Sequence, residues 1–144
     1  MPEFLCYKSK KPDAIANALV NLLINKQDIC DIDFLENYPD MIVIVSINDG
    51  NYLDTNKKTQ LMCKKTNEEL KKMTIYDTSE TKWHKELDVF LKYARKYKKV
   101  LPYEKHNLNT DKEYFDFRVD GIVYEDNLLL WGVCSNSPAQ KTIQ

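Results

Sequence analysis

Met41-Ile42-Val43-Ile44-Val45-Ser46-Ile47 is the stretch whose reading decides the fold. It is a β-branched run too short for a typical core helix. Tyr38-Pro39-Asp40 precedes it and Asn48-Asp49-Gly50-Asn51 follows it, so turn residues close both ends. A strand with apolar residues on both faces belongs in the middle of a sheet covered on both sides. Downstream, Asp49-Gly50 suits a two-residue hairpin turn, with Tyr52-Leu53 returning antiparallel. Asp54 to Lys58 reads as polar loop, and residues 59–65 are open between strand and helix.

Upstream, Phe4 to Tyr7 reads as a short first strand. Pro12 and Asp13 suit the first turn of a helix over about 12–26. Its stripe is Ile15, Ala18, Leu19, Leu22 and Leu23, widened by Ala16, Val20 and Ile24. In 28–36, Cys30, Ile32 and Phe34 alternate with Asp31 and Asp33, which favours a strand. Asp33 followed by Glu36 leaves a helix start as the alternative. With the strand, the opening is β-α-β-β and resembles a ferredoxin-like split unit in topology alone.

Thr66-Asn67-Glu68-Glu69 is a capping box for a short helix reaching about Met73. The longest helix is expected over 79–99, capped by Thr78 or Ser79. Its stripe is Trp83, Leu87, Phe90, Ala94 and Tyr97, with Leu91 beside it. Residues 104–113 read as a polar loop. The last third reads as a meander: Tyr114–Val119, a turn at Asp120-Gly121, Ile122–Glu125, a turn at Asp126-Asn127, and Leu128–Cys134. Alternatively Gly121 sits in a bulge of one bent strand, 114–125. The fold class is therefore α+β, a mostly antiparallel sheet with two main helices packed on it. One globular domain is expected over 1–134, with a polar tail over 135–144.

At 144 residues the chain is long enough to bury a core, and 43% hydrophobic content is enough to fill one. Only 3 glycines leave no room for a Gly-rich phosphate loop. The start lacks the basic and apolar regions of a signal peptide, and no apolar run is long enough to span a membrane, so a cytoplasmic location is expected. Cys6, Cys30, Cys63 and Cys134 have no Cys-x-x-Cys spacing and are expected to be reduced. No cofactor is expected.

Charge is uneven: net −3 over residues 1–60, +5 over 61–112 and −3 over 113–144. His84 and His106 belong to no metal or catalytic motif. No catalytic constellation and no motif of a recognised family stands out. The leading expectation is consequently a small protein-binding accessory factor, such as an inhibitor, antidote or immunity protein, or a viral or phage accessory protein. Its contact residues would be Asp31, Asp33, Asp40, Asp116, Asp120, Tyr124 and Trp131, acidic groups and aromatic anchors suited to a protein partner. A second reading is RNA or single-stranded DNA binding by Lys92, Arg95, Lys96, Lys99 and Lys105, interleaved with tyrosines. A third is a metal-dependent nucleotide or nucleic-acid enzyme using Asp31 and Asp33, although no metal motif is evident.

Overall fold

The computed structural model describes residues 14–136. The expected strand at Phe4–Tyr7, the helix start at Pro12-Asp13 and Cys6 lie outside these residues, as does the tail beyond Asn136. A helix over 14–24 (α1) leads into a 3-10 turn at Ile29–Asp31 and α2 at Asp33–Glu36. Then come β1 (Met41–Ser46), β2 (Tyr52–Thr55), α3 (Lys57–Cys63) and α4 (Asn67–Leu70). A 3-10 turn at Thr81–Trp83 opens α5 (His84–Tyr97). The chain closes with β3 (Tyr103–Leu108), β4 (Tyr114–Tyr124), β5 (Asn127–Gly132) and β6 (Cys134–Asn136).

All strand pairs are antiparallel, in the order β2-β1-β5-β4-β3, with β6 also on β4. β1 lies inside the sheet, and alternation divides its side chains between two cores. Met41, Val43 and Val45 face the inner layer with Leu87, Phe90, Leu91 and Ala94 of α5. Ile42 and Ile44 face the outer layer with Ile15, Leu19 and Leu22 of α1 and with Leu129 and Trp131 of β5. Burying each of these side chains contributes roughly 1.5–3 kcal/mol, so both helices are anchored by the one strand.

Several local expectations change. Residues 28–36 form helical turns, because Ile29 and Leu35 are the buried positions and Phe34 is exposed. Asp33 and Glu36 do not form a capping box; Asn37 Nδ2 donates to Asp33 Oδ1 at 2.8 Å instead. The strand expected over 28–36 as the second of the β-α-β-β opening is thus replaced by helical turns. β1 and β2 are joined by five residues, 47–51, rather than a two-residue turn. The capping box at Thr66 is present, with Glu69 N donating to Thr66 Oγ1 at 3.1 Å and Thr66 N to Glu69 Oε1 at 2.8 Å. Tyr97 lies outward and stacks on Tyr93, 4.6 Å between centroids. Asp120-Gly121 is no turn: β4 runs straight through, as the bent-strand alternative has it. A Cβ at Gly121 would lie 2.3 Å from Leu129 O, and one at Gly132 1.7 Å from Arg118 O. Both glycines are needed for the close approach of β4 to β5. Residues 104–108, expected in a loop, are edge strand β3.

Asp54 to Asn56, also expected in a loop, is a buried junction. Ile42 N donates to Asn56 Oδ1 at 3.0 Å, and Asn56 N to Ile42 O at 3.1 Å. The same Oδ1 caps α3 by accepting from Thr59 N at 3.1 Å, while Nδ2 donates to Asp40 O at 2.9 Å. Asp54 accepts from Ile29 N at 2.8 Å and from Asn67 Nδ2 at 3.1 Å. Asn56→Ala strands several of these buried groups at once, and each orphan costs about 1–3 kcal/mol. Urea denaturation is expected to show a loss of about 3 kcal/mol; a loss under about 1 kcal/mol would mean that water replaces the amide.

Candidate functional site

The inner core contains a polar cluster centred on Lys105. β3 pairs with β4 so that Lys105 opposes Phe117 and Asn107 opposes Phe115. Alternation turns Tyr103, Lys105 and Asn107 to the inner layer, and Lys105 and Asn107 are buried. A strap over 73–79 closes this face. At its start Tyr52 N donates to Met73 O at 3.0 Å and Ile75 N to Gly50 O at 2.9 Å. At its end Leu108 N donates to Thr78 O at 3.0 Å. The strap therefore links β2 and β3, the two edges of the sheet.

Lys105 Nζ donates to Thr78 Oγ1 at 2.8 Å, to Ser79 Oγ at 2.9 Å and to Asn107 Oδ1. Thr78 Oγ1 also bonds Tyr52 OH at 2.8 Å, which carries the network across to β2. The hydroxyls of Thr78 and Ser79 donate onward to Ile75 O and His106 O, so each keeps a lone pair for the lysine. Three acceptors match the three protons of an ammonium. Among the described residues no carboxylate pairs with it. Burial accordingly pulls Lys105 down to about 7, against a smaller upward pull from Cys63. Burial also pushes the Cys63 thiol up to about 11 and raises the Tyr52 phenol, so both stay protonated at neutral pH.

The outer side of the same strands carries a second cluster. His106 Nδ1 lies 2.8 Å from Asp116 Oδ1, and the Trp83 ring stacks on the imidazole at 4.2 Å between centroids. Glu104 stands two residues along the same face. One ligand atom from each of Glu104, His106 and Asp116 lies within 4.8 Å of the others, and these are the described residues that could hold a metal ion together. His106 is thus in neither a loop nor isolation, as the sequence suggested. Its neighbours become visible only through the β3–β4 register.

The residues singled out from sequence scatter. Asp31, Asp33 and Asp120 are exposed, and Asp40 and Tyr124 are half-buried. Asp31 and Asp33 lie in separate helical turns rather than along one strand face. Trp131 is buried among the outer core residues and is no exposed anchor. Asp116 is buried against His106. Lys92, Lys96 and Lys99 are exposed, but Arg95 donates to Ile47 O at 3.0 Å and holds the loop after β1. Lys105 points inward, far from an open basic surface. Cys30, Cys63 and Cys134 are free thiols, Cys30 exposed and Cys63 buried. No described helix is long and apolar enough to cross a membrane.

No family model matches the chain, and no curated protein does. Solved structures share its fold. A domain of the sensory box sensor histidine kinase/response regulator from Geobacter sulfurreducens aligns with a TM-score of 0.63 at 15% identity, over 72% of this chain and 90% of that one. The PAS domain of a protein from Colwellia psychrerythraea gives 0.58 at 13% identity, over 76% and 96%. The PAS domain of a protein from Desulfitobacterium hafniense gives 0.54 at 20%, over 73% and 99%. The chain has a PAS-like α+β fold. These neighbours overturn the reading as an inhibitor, antidote, immunity protein or viral or phage accessory factor and the nucleic-acid-enzyme reading, and they lend no support to RNA or single-stranded DNA binding.

Lys105 has a measurable signature in stability. Between about 7 and its ordinary 10.5 the unfolded chain holds a proton that the folded chain has released. Stability must then rise with pH across that window. Cys63 opposes this only above its ordinary 9.0. Relative to Lys105→Met, the native chain is expected to gain about 2 kcal/mol between pH 7 and 9, at up to about 1.4 kcal/mol per unit. Denaturant titrations at each pH check this; a flat difference would mean that the ammonium persists throughout.

Proposed function

We propose that this chain is a signal-sensing domain, in which a small anionic effector engages the buried cluster around Lys105. The observation that carries the reading is a lysine inside a PAS-like core whose partners are all neutral. A buried charge without a counter-charge is costly, and an anion that displaces one of the three neutral acceptors offsets the cost. The likeness to domains described as sensory box and PAS domains supports the same class of function. Transmission follows from the strap. Thr78 and Ser79 touch the lysine, and the segment that bears them is bonded to both edges of the sheet. A shift of the strap reaches β2 through Tyr52 and β3 through Leu108. The partner that reads the shift is another protein, and exposed acidic groups such as Asp31, Asp33 and Asp120 supply polar surface for it.

Amide NMR titrations with acetate, succinate and inorganic phosphate at constant pH test the reading. At least one anion is expected to move the signals of Tyr52, Thr78, Ser79, Lys105 and Asn107 saturably, and Lys105→Met is expected to abolish the effect. Shifts confined to Lys92, Lys96 and Lys99, or none with any of the three, would overturn it.

A further inference from the structure

We propose that the outer face of β3 and β4 binds one divalent first-row transition-metal ion through Glu104, His106 and Asp116. The three come together through strand geometry alone. His106 and Asp116 are register partners, and Glu104 and His106 are two apart on one strand, so all three project from the same face. Their ligand atoms lie within 4.8 Å of one another. The side-chain exposures fall from 47% at Glu104 to 28% at His106 and 9% at Asp116. The site is closed on the Asp116 side and open on the Glu104 side, where water can complete the coordination.

The His106–Asp116 contact is 2.8 Å, the separation of two groups sharing a proton. Two ligands of a tetrahedral zinc ion, each at about 2.0–2.1 Å, stand roughly 3.3 Å apart. Replacing the proton by a metal ion therefore needs an opening of about half an ångström. His106 is held for this from two directions. Trp83 stacks on its ring, and its carbonyl accepts from Ser79 Oγ at 2.6 Å. The ring contact restrains the imidazole, and the carbonyl bond restrains the backbone that bears it. One imidazole with two carboxylates suits zinc, manganese or iron better than the all-oxygen shells of calcium or magnesium. The competitor is Arg118, whose guanidinium is 3.6 Å from Glu104 Oε2 and largely exposed. That loose pair gives way to a divalent ion bound at the same carboxylate. The inner cluster is on the opposite side of the sheet and shares only Ser79 with this site.

Calorimetric titration of the chelator-treated full chain with zinc alone tests it. One ion per chain is expected, bound saturably, with a parallel change in Trp83 fluorescence that Trp83→Phe removes. His106→Ala and Asp116→Asn are each expected to weaken binding at least tenfold, with amide spectra confirming that both variants fold. Arg118→Gln is expected to tighten it severalfold. Cys30→Ser and Cys134→Ser are expected to leave it unchanged. No saturable binding, binding that survives His106→Ala, or binding lost with either cysteine would overturn the site.

Discussion

The Asn56 amide is the interaction on which the two layers of the structure depend. It extends the β1–β2 ladder by one pair, using side-chain oxygen where backbone oxygen would serve in a strand. The same oxygen starts α3, and the amide nitrogen holds the chain that enters β1. Two residues earlier, Asp54 reaches the opposite way, to the turn at Ile29 that packs under α1. The end of β2 thus ties inner helices, outer helices and central strand together within three residues. Asymmetry in the hydrogen-bond energetics explains why such a polar knot can be buried. Once satisfied it contributes modestly, but removing one member orphans several others.

That knot fixes one edge of the sheet, and the strap from Met73 to Ser79 fixes the other. An edge strand exposes a row of unpaired backbone groups. β3 is covered along that row by Thr78 O and the Ser79 hydroxyl. The covering segment brings hydroxyls to the inner face, and these are what Lys105 meets. The buried lysine is therefore a consequence of how the edge is protected. Its charge is stabilised by neutral dipoles alone, and the balance between three good hydrogen bonds and lost hydration lies close to even.

The sequence makes some of this readable and conceals the rest for a physical reason. Hydrophobic periodicity reveals an element when the residues facing the core are apolar. Met41 to Ser46 and the α5 stripe satisfy that condition, and the expectations for β1 and for Leu87, Phe90, Leu91 and Ala94 match the structure. The capping box at Thr66 to Glu69 matches because its chemistry is local. β3 fails the condition, since its inward residues after Tyr103 are a lysine and an asparagine, so an edge strand looks like a loop. Asp54 to Asn56 fails for the same reason. In 28–36 the alternation of Cys30, Ile32 and Phe34 is real, but burial falls on Ile29 and Leu35, which a single helical layer under α1 selects. Trp131 read as an exposed anchor because nothing in a sequence shows that α1 lies over it. Glu104, His106 and Asp116 join only through a cross-strand register, which no local pattern encodes.

Alternation along β3 gives one strand two chemistries. Lys105 faces an interior whose neutral groups accept from its amine while burial disfavours its charge, and Glu104 and His106 face an exterior where carboxylates gather with an imidazole. Ser79 touches both. Its hydroxyl accepts from Lys105 Nζ and donates to the carbonyl of His106. A hydroxyl has one proton to give, so its donation to His106 sets which lone pairs remain for the lysine. The strap that bears Ser79 is bonded at its other end to Gly50 and Tyr52. The sheet and its strap thus form one hydrogen-bonded unit, in which edge strand β3 carries Lys105 on its buried face and Glu104 and His106 on its outer one.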